Sequence, residues 1–252
     1  MIEIKSAAEI EAMKRPNRIV AEVLADMHSF VRPGVTTADI DRRAETIIRS
    51  NGAIPSFKGY GDPPFPGSVC VSVNEAVVHG LPSESRVIQP GDIVSVDCGA
   101  YIDGWHGDAA RTYIVGEVPD EVRRLVEVCE ASFWAGLEQA VAGNRVGDIS
   151  AAIQAVVETA GFGIVEELTG HGIGRDLHEE PSVFNFGRKG HGPRLRTGMV
   201  LAVEPMITLG SPAVRVLDDE WTWVTQDGQP ASHYENTFAI TADGPVILTQ
   251  LP

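Results

Sequence analysis

The chain repeats itself. GVTTADIDRRAETIIRSNG at 34–52 aligns with GNRVGDISAAIQAVVETAG at 143–161 at a constant offset of 109, pairing Gly34 with Gly143, Asp39 with Asp148, Ile40 with Ile149 and Gly52 with Gly161. Ile40, Ala44, Ile47 and Ile48 recur as Ile149, Ile153, Val156 and Val157. That is the i, i+4, i+7, i+8 stripe of an amphipathic helix closed by a glycine. Each copy follows a longer helical stretch, MKRPNRIVAEVLADMHSFV and PDEVRRLVEVCEASFWAGLEQAV. Further on, PGDIVSVDCG (90–99) resembles RTGMVLAVEPM (196–206), with Gly91 matching Gly198 and Asp97 matching Glu204. Both runs alternate small and β-branched residues and read as strands. Two copies are too few for a stacked solenoid, which needs three or more. The expectation is an α+β protein. One domain over 1–252 would hold pseudo-repeats at about 10–115 and 119–245, with the two strand sets meeting at a shared centre.

Composition narrows the classes of partner. At 252 residues and 43% hydrophobic, the chain can bury a large core. Its 20 Lys and Arg against 35 Asp and Glu give a formal charge of -15. That balance argues against binding DNA or any phosphate backbone as the main activity, because a basic footprint supplies most of such affinity. Cys70, Cys98 and Cys129 are odd in number and widely spaced, which suggests neither a disulfide framework nor a structural zinc site. The start lacks an apolar signal core, and no run reaches the roughly 18 apolar residues of a membrane span. A cytoplasmic protein that contacts no membrane is expected.

The chemistry concentrates in SVDCGAYIDGWHGDAART, residues 95–112, where strand-like segments 92–101 and 106–115 flank IDGW. A hairpin turning near 102–103 sets Asp97 opposite Asp108 on one face. Like charges directly opposite destabilise a sheet unless something positive lies between them. Glu204 in MVLAVEPMI and Glu235 in HYENTFAIT form a comparable pair in the second copy. His171 lies between, in TGHGIGRDLHEEP, among glycines that allow close backbone approach, and His178 follows seven residues later. Four carboxylates and an imidazole suit hard or borderline divalent ions, and two such ions would balance the four negative charges. Parity and repeat alone are equally compatible with a buried hydrogen-bonded cluster.

These motifs resemble a known family. SVNEAVVHGLP (72–82), DIVSVDCGAYIDGWHGDAART (92–112), LTGHGIGRDLHEEP (168–181), LAVEPM (201–206) and HYENTFAIT (233–241), in this order, are similar to those of methionine aminopeptidases of the short, bacterial type I form. The resemblance implies the pita-bread fold: two related halves around a curved antiparallel sheet with helices outside. It implies that Asp97, Asp108, His171, Glu204 and Glu235 hold two divalent ions (Co, Mn, Fe, Zn or Ni). Asp108 and Glu235 would bridge both, Asp97 would chelate one, and His171 with Glu204 would complete the other. His79 and His178 match the histidines that contact substrate.

The implied activity is removal of the initiator methionine from nascent or newly made chains whose second residue is small, by attack of metal-activated hydroxide on the peptide carbonyl. Glu204 would handle its proton, His178 the peptide oxygen, and His79 a hydrogen bond to the substrate backbone. Tyr60, Phe65, Cys70 and Trp221 would line the methionine pocket, while Cys98, of opposite parity to Asp97, would pack on the far side of the sheet. A monomer with at most a transient ribosome contact is expected. Three departures stand out: a proline-rich loop at 59–68, Leu177 where relatives often carry an aromatic, and Asn236 in place of a common histidine. The rival readings are an Xaa-Pro aminopeptidase or prolidase, and a binding protein on the same fold. A serine or cysteine hydrolase lacks its signatures.

Overall fold

The repeated residues are caps and turns. In the computed structural model, which describes residues 1–251, α1 (Ala7–Phe30) and α2 (Thr37–Ser50) open with capping boxes. In α2 the N3 acid is Asp39, whose carboxylate accepts the Thr36 N–H. α3 (Asp120–Glu138) and α4 (Val146–Ala160) form the second pair. There Asp148 is the N3 acid and accepts the Arg145 N–H at 2.7 Å. The paired glycines are equally alike: Gly34 and Gly143 have φ of 90° and 104°, and Gly91 and Gly198 have 93° and 94°. These left-handed positions tolerate little but glycine.

The strands fall into two sets. The first comprises β1 (Ile54–Pro55), β2 (Val69–Val73), β3 (Ala76–Val78), β4 (Ile93–Ile102) and β5 (Trp105–Ile114). Here β1 and β2 pair with β4 on one side and β5 pairs with it on the other. The second set comprises β6 (Gly163–Ile164), β7 (Gly170–Gly172), β8 (Glu179–Val183), β9 (Val200–Val203), β10 (Met206–Thr208), β11 (Val214–Val216), β12 (Trp223–Thr225), β13 (Ala231–His233), β14 (Asn236–Thr241) and β15 (Gly244–Ile247). Its main sheet runs β15-β14-β9-β7-β8, and every pairing in the described residues is antiparallel. β12 ties back to β3.

Side-chain parity decides which face carries chemistry. In β4, Val94, Val96, Cys98 and Ala100 join the core beneath α1 and α2. Asp97 therefore leaves the other face, and Cys98 packs on the helix side. In β9, Leu201 and Val203 enter the core beneath α3 and α4, while Val200 and Ala202 face the pocket cluster that holds Phe65, Cys70 and Leu177. Glu204, one residue beyond the strand, shares the parity of the second pair. β14 repeats the rule, with Phe238 and Ile240 toward the helices and Ala239 toward the pocket.

The expected register of the first hairpin is corrected. Asp97 lies opposite Ala110, and Asp108 opposite Gly99. The two acids are diagonal neighbours on one face, not a direct pair. The cause is the turn: Asp103 and Gly104 have φ of 55° and 83°, so the two-residue loop sits one residue later than the sequence reading placed it. An Asp-Gly pair with both φ positive is the favoured two-residue hairpin loop. Diagonal spacing relieves part of the repulsion while keeping both carboxylates on one face.

The halves join at Glu235 and Ala110, which exchange backbone hydrogen bonds of 3.0 and 3.4 Å. Thr237 Oγ1 donates to the Asp108 carbonyl at 2.8 Å, and Thr112 Oγ1 to that of His233 at 2.8 Å. Asn236 belongs to this seam, since its Oδ1 accepts from Arg111 at 2.7 Å and from Thr249 at 2.8 Å.

Candidate metal centre

One cavity of about 160 Å³ gathers the residues that the sequence singled out. Asp97, Asp108, His171, Glu204 and Glu235 form its polar end, and Tyr60, Phe65, Cys70 and Trp221 line it with His79 and His178. Leu177 lines it too, 3% exposed.

Local sequence explains the placement of each group. His171 sits on β7 between Gly170 and Gly172. A Cβ at Gly170 would meet the Ala202 carbonyl at 2.5 Å, and one at Gly172 the Glu180 carbonyl at 2.3 Å. Only glycines let this strand slip between β9 and β8 and carry the imidazole to the carboxylates. The His171 Nδ1–H donates to the Gly172 carbonyl at 2.9 Å. Its Nε2 is thereby turned to Glu204 at 3.6 Å and Asp108 at 4.0 Å. His79 occupies φ 57°, a left-handed conformation that residues other than glycine adopt at some cost and that clusters at functional positions.

The histidine loop is clamped from the first half. Lys5, 4% exposed, pairs with Glu179, 7% exposed, directly after His178. Arg175 lies 4.2 Å over the Trp105 ring and reaches Glu9 at 3.5 Å. Tyr60, 43% exposed at the mouth, places its hydroxyl 2.5 Å from His178 Nδ1. The proline-rich loop that carries Tyr60 closes on itself through paired backbone bonds between Gly59, Tyr60 and Phe65. Trp221 meets Phe65 and His79 edge-on.

Electrostatics identify what the polar end needs. Burial and mutual repulsion push Asp108 and Glu235 well above the carboxylate range. Burial raises Asp97 to about 7 and Glu204 to about 8. The same burial lowers His171 to about 3 and His79 to about 4, leaving neutral imidazoles with free lone pairs. Asp97 Oδ1, Asp108 Oδ1 and Glu235 Oε1 are buried without hydrogen-bond partners. Orphaned carboxylate oxygens of this kind cost several kcal/mol unless a cation satisfies them. The donor set therefore fits divalent ions.

Two triads within ligand distance share one member: Asp108–His171–Glu235 and Glu204–His233–Glu235. His233 is the residue that sequence reasoning passed over. The signal was present, because His233 stands two residues before Glu235 in HYENTFAIT, a stretch already read as carrying a ligand.

A pseudo-symmetric sheet that carries four carboxylates and imidazoles on its helix-free face defines a metallohydrolase. Residues 11–242 match the model of metallopeptidase family M24, and the chain belongs to that family. It is similar to the methionine aminopeptidase of Clostridium acetobutylicum, at 53% identity over 249 residues and 99% of both chains. The crystal structure of methionine aminopeptidase from Thermotoga maritima matches with a TM-score of 0.97 at 44% identity, covering 100% of each chain. The Xaa-Pro dipeptidase from Bacillus anthracis matches less closely, with a TM-score of 0.78 at 27% identity, over 99% of this chain but 62% of its own. The architecture is the pita-bread fold.

Proposed function

We propose that this chain removes the N-terminal methionine from newly made proteins whose second residue is small. The observation that carries this reading is the single cavity in which a carboxylate and imidazole cluster adjoins an apolar wall of Phe65, Cys70, Leu177 and Trp221. A thioether side chain suits that wall, and a free amine suits the cluster. The catalytic unit spans the chain as one domain, with pseudo-repeats at about 10–115 and 119–245.

Two divalent ions, of Co, Mn, Fe, Zn or Ni, would be held by Asp97, Asp108, His171, Glu204 and Glu235. When bound, such ions acidify a water and polarise the scissile carbonyl. Glu204 takes up the proton of the attacking water and returns one to the leaving amine. Tyr60 holds Nδ1 of His178, which leaves Nε2 to face the peptide oxygen. His79 donates to the substrate backbone. Tyr60, Phe65, Cys70 and Trp221 hold the methionine side chain.

This reading places the protein in the cytoplasm as a monomer that meets nascent chains, with at most a transient ribosome contact. No helix among the described residues is long and apolar enough to cross a membrane, and the -15 charge disfavours DNA. The test is free methionine release from Met-Gly and Met-Lys peptides, with and without chelator, in the unaltered protein and in Asp108→Asn. Release from Met-Gly alone, abolished by chelator and by the substitution, is expected. Equal release throughout would sink the proposal. Cleavage of Xaa-Pro peptides in preference to Met-Ala-Ser would move the assignment to the prolidase branch.

A further inference from the structure

We propose that His233 is a sixth protein ligand of the metal centre, giving its Nε2 to a divalent ion held beside Glu204 and Glu235, distinct from the one beside His171. This assignment rests on reading the cluster as a cation site. His233 is 1% exposed, and neither ring nitrogen has a hydrogen-bond partner. A buried imidazole with both nitrogens orphaned calls for a ligand. Its Nε2 lies 3.5 Å from Glu204 Oε2 and 3.9 Å from Glu235 Oε2. These separations are too long for hydrogen bonds, which fall near 2.7–3.2 Å. They match donors that share an ion: two atoms each about 2.1 Å from a tetrahedral metal lie roughly 3.4 Å apart.

His171 provides the internal standard. Its Nε2 stands 3.6 Å from Glu204 Oε1 and 4.0 Å from Asp108 Oδ2, nearly the same spacing. The two imidazoles approach opposite oxygens of Glu204, and they fall in separate triads that share only Glu235. Each triad thus supplies one nitrogen. An ion held between Glu204 and Glu235 gains an imidazole here. One difference separates the histidines: His171 donates its other nitrogen to the Gly172 carbonyl, whereas His233 Nδ1 has no protein partner. A histidine without that orienting bond is the weaker ligand of the two. Adding nitrogen to an otherwise all-oxygen site shifts its preference from hard ions such as Mn toward Co, Ni or Zn.

The test uses the cobalt-loaded full chain and does not depend on turnover. Proton NMR of the paramagnetic protein in water should show two exchangeable, strongly shifted imidazole N–H signals, one of which disappears in His233→Gln. Cobalt titration by calorimetry should show one of two ions bound about 10- to 100-fold more weakly in His233→Gln, with the other unchanged. His171→Gln should weaken the other ion. A single shifted signal in the unaltered protein, or two unchanged affinities in folded His233→Gln, would overturn the assignment. Two ions bound with two imidazole signals, but no methionine release, would sink the proposed function and leave the ligand in place.

Discussion

The two halves deliver their carboxylates differently. In the first half, Asp97 and Asp108 lie inside ten-residue strands joined by a two-residue turn. In the second, Glu204 follows a four-residue strand and Glu235 precedes a six-residue one, with β10 to β13 and their loops between them. The short acid sits where the backbone is fixed by continuous pairing, and the longer acid reaches inward from a strand end. Glu204 and Glu235 are held instead by distant partners: Asn185 donates to the Glu204 carbonyl at 2.9 Å, and Ala110 pairs with Glu235. One arm of the centre is therefore built by local structure, and the other by long-range contacts.

The strongest challenge to this contrast is removal of a ligand proposed to be shared. Asp108→Asn and Glu235→Gln should both lower kcat/KM by roughly a thousandfold, since loss of Lewis-acid stabilisation worth several kcal/mol has that effect. Steady-state kinetics on a Met-Gly peptide would show it, and a tenfold smaller loss in Glu235→Gln would break the equivalence proposed for the two residues. Chelation comes next. Saturating metal at about 1,000 Kd adds roughly 4 kcal/mol, so stripping it should lower Tm by roughly 8–16 °C. Calorimetric scans with and without chelator measure this directly.

Length swaps sharpen the comparison further. Asp97→Glu has no slack in mid-strand and should cost about 100-fold in kcat/KM, whereas Glu204→Asp at a strand end should cost about tenfold. The reverse ranking would refute the local against long-range distinction. The smallest effect is in pH dependence. Without metal, folded Asp97 and Glu204 titrate at about 7 and about 8, above their unfolded values near 4. The folded state then holds more protons than the unfolded state, so stability falls as pH rises from about 4 to about 8. Buried histidines and the overall negative charge also contribute slopes. The comparison is therefore with metal-free Glu204→Gln, whose Tm should fall less over that window.

Much of the architecture was legible because it is written locally. The repeated Asp39 and Asp148 are the N3 acids of helix capping boxes, and the repeated glycines occupy left-handed turns. Period-two alternation put the acids on one face, and the Asp103-Gly104 pair carried the true register for a reading that weighed turn chemistry. Asn236 and Leu177 could be noticed as departures, but their roles could not be read: one ties the seam to Arg111, and the other fills the pocket wall.

By itself, the sequence determined two helix pairs, two strand sets and the faces to which their acids belong, because caps, turns and alternation act within a few residues. Only the tertiary structure decided that Asp97, His171, Glu204 and Glu235 share one cavity, that Tyr60 holds His178, and that His233 stands beside two carboxylates. Those contacts join residues far apart in the chain. They exist only after the sheets close across Ala110 and Glu235, and no local pattern encodes a distance between side chains on different strands.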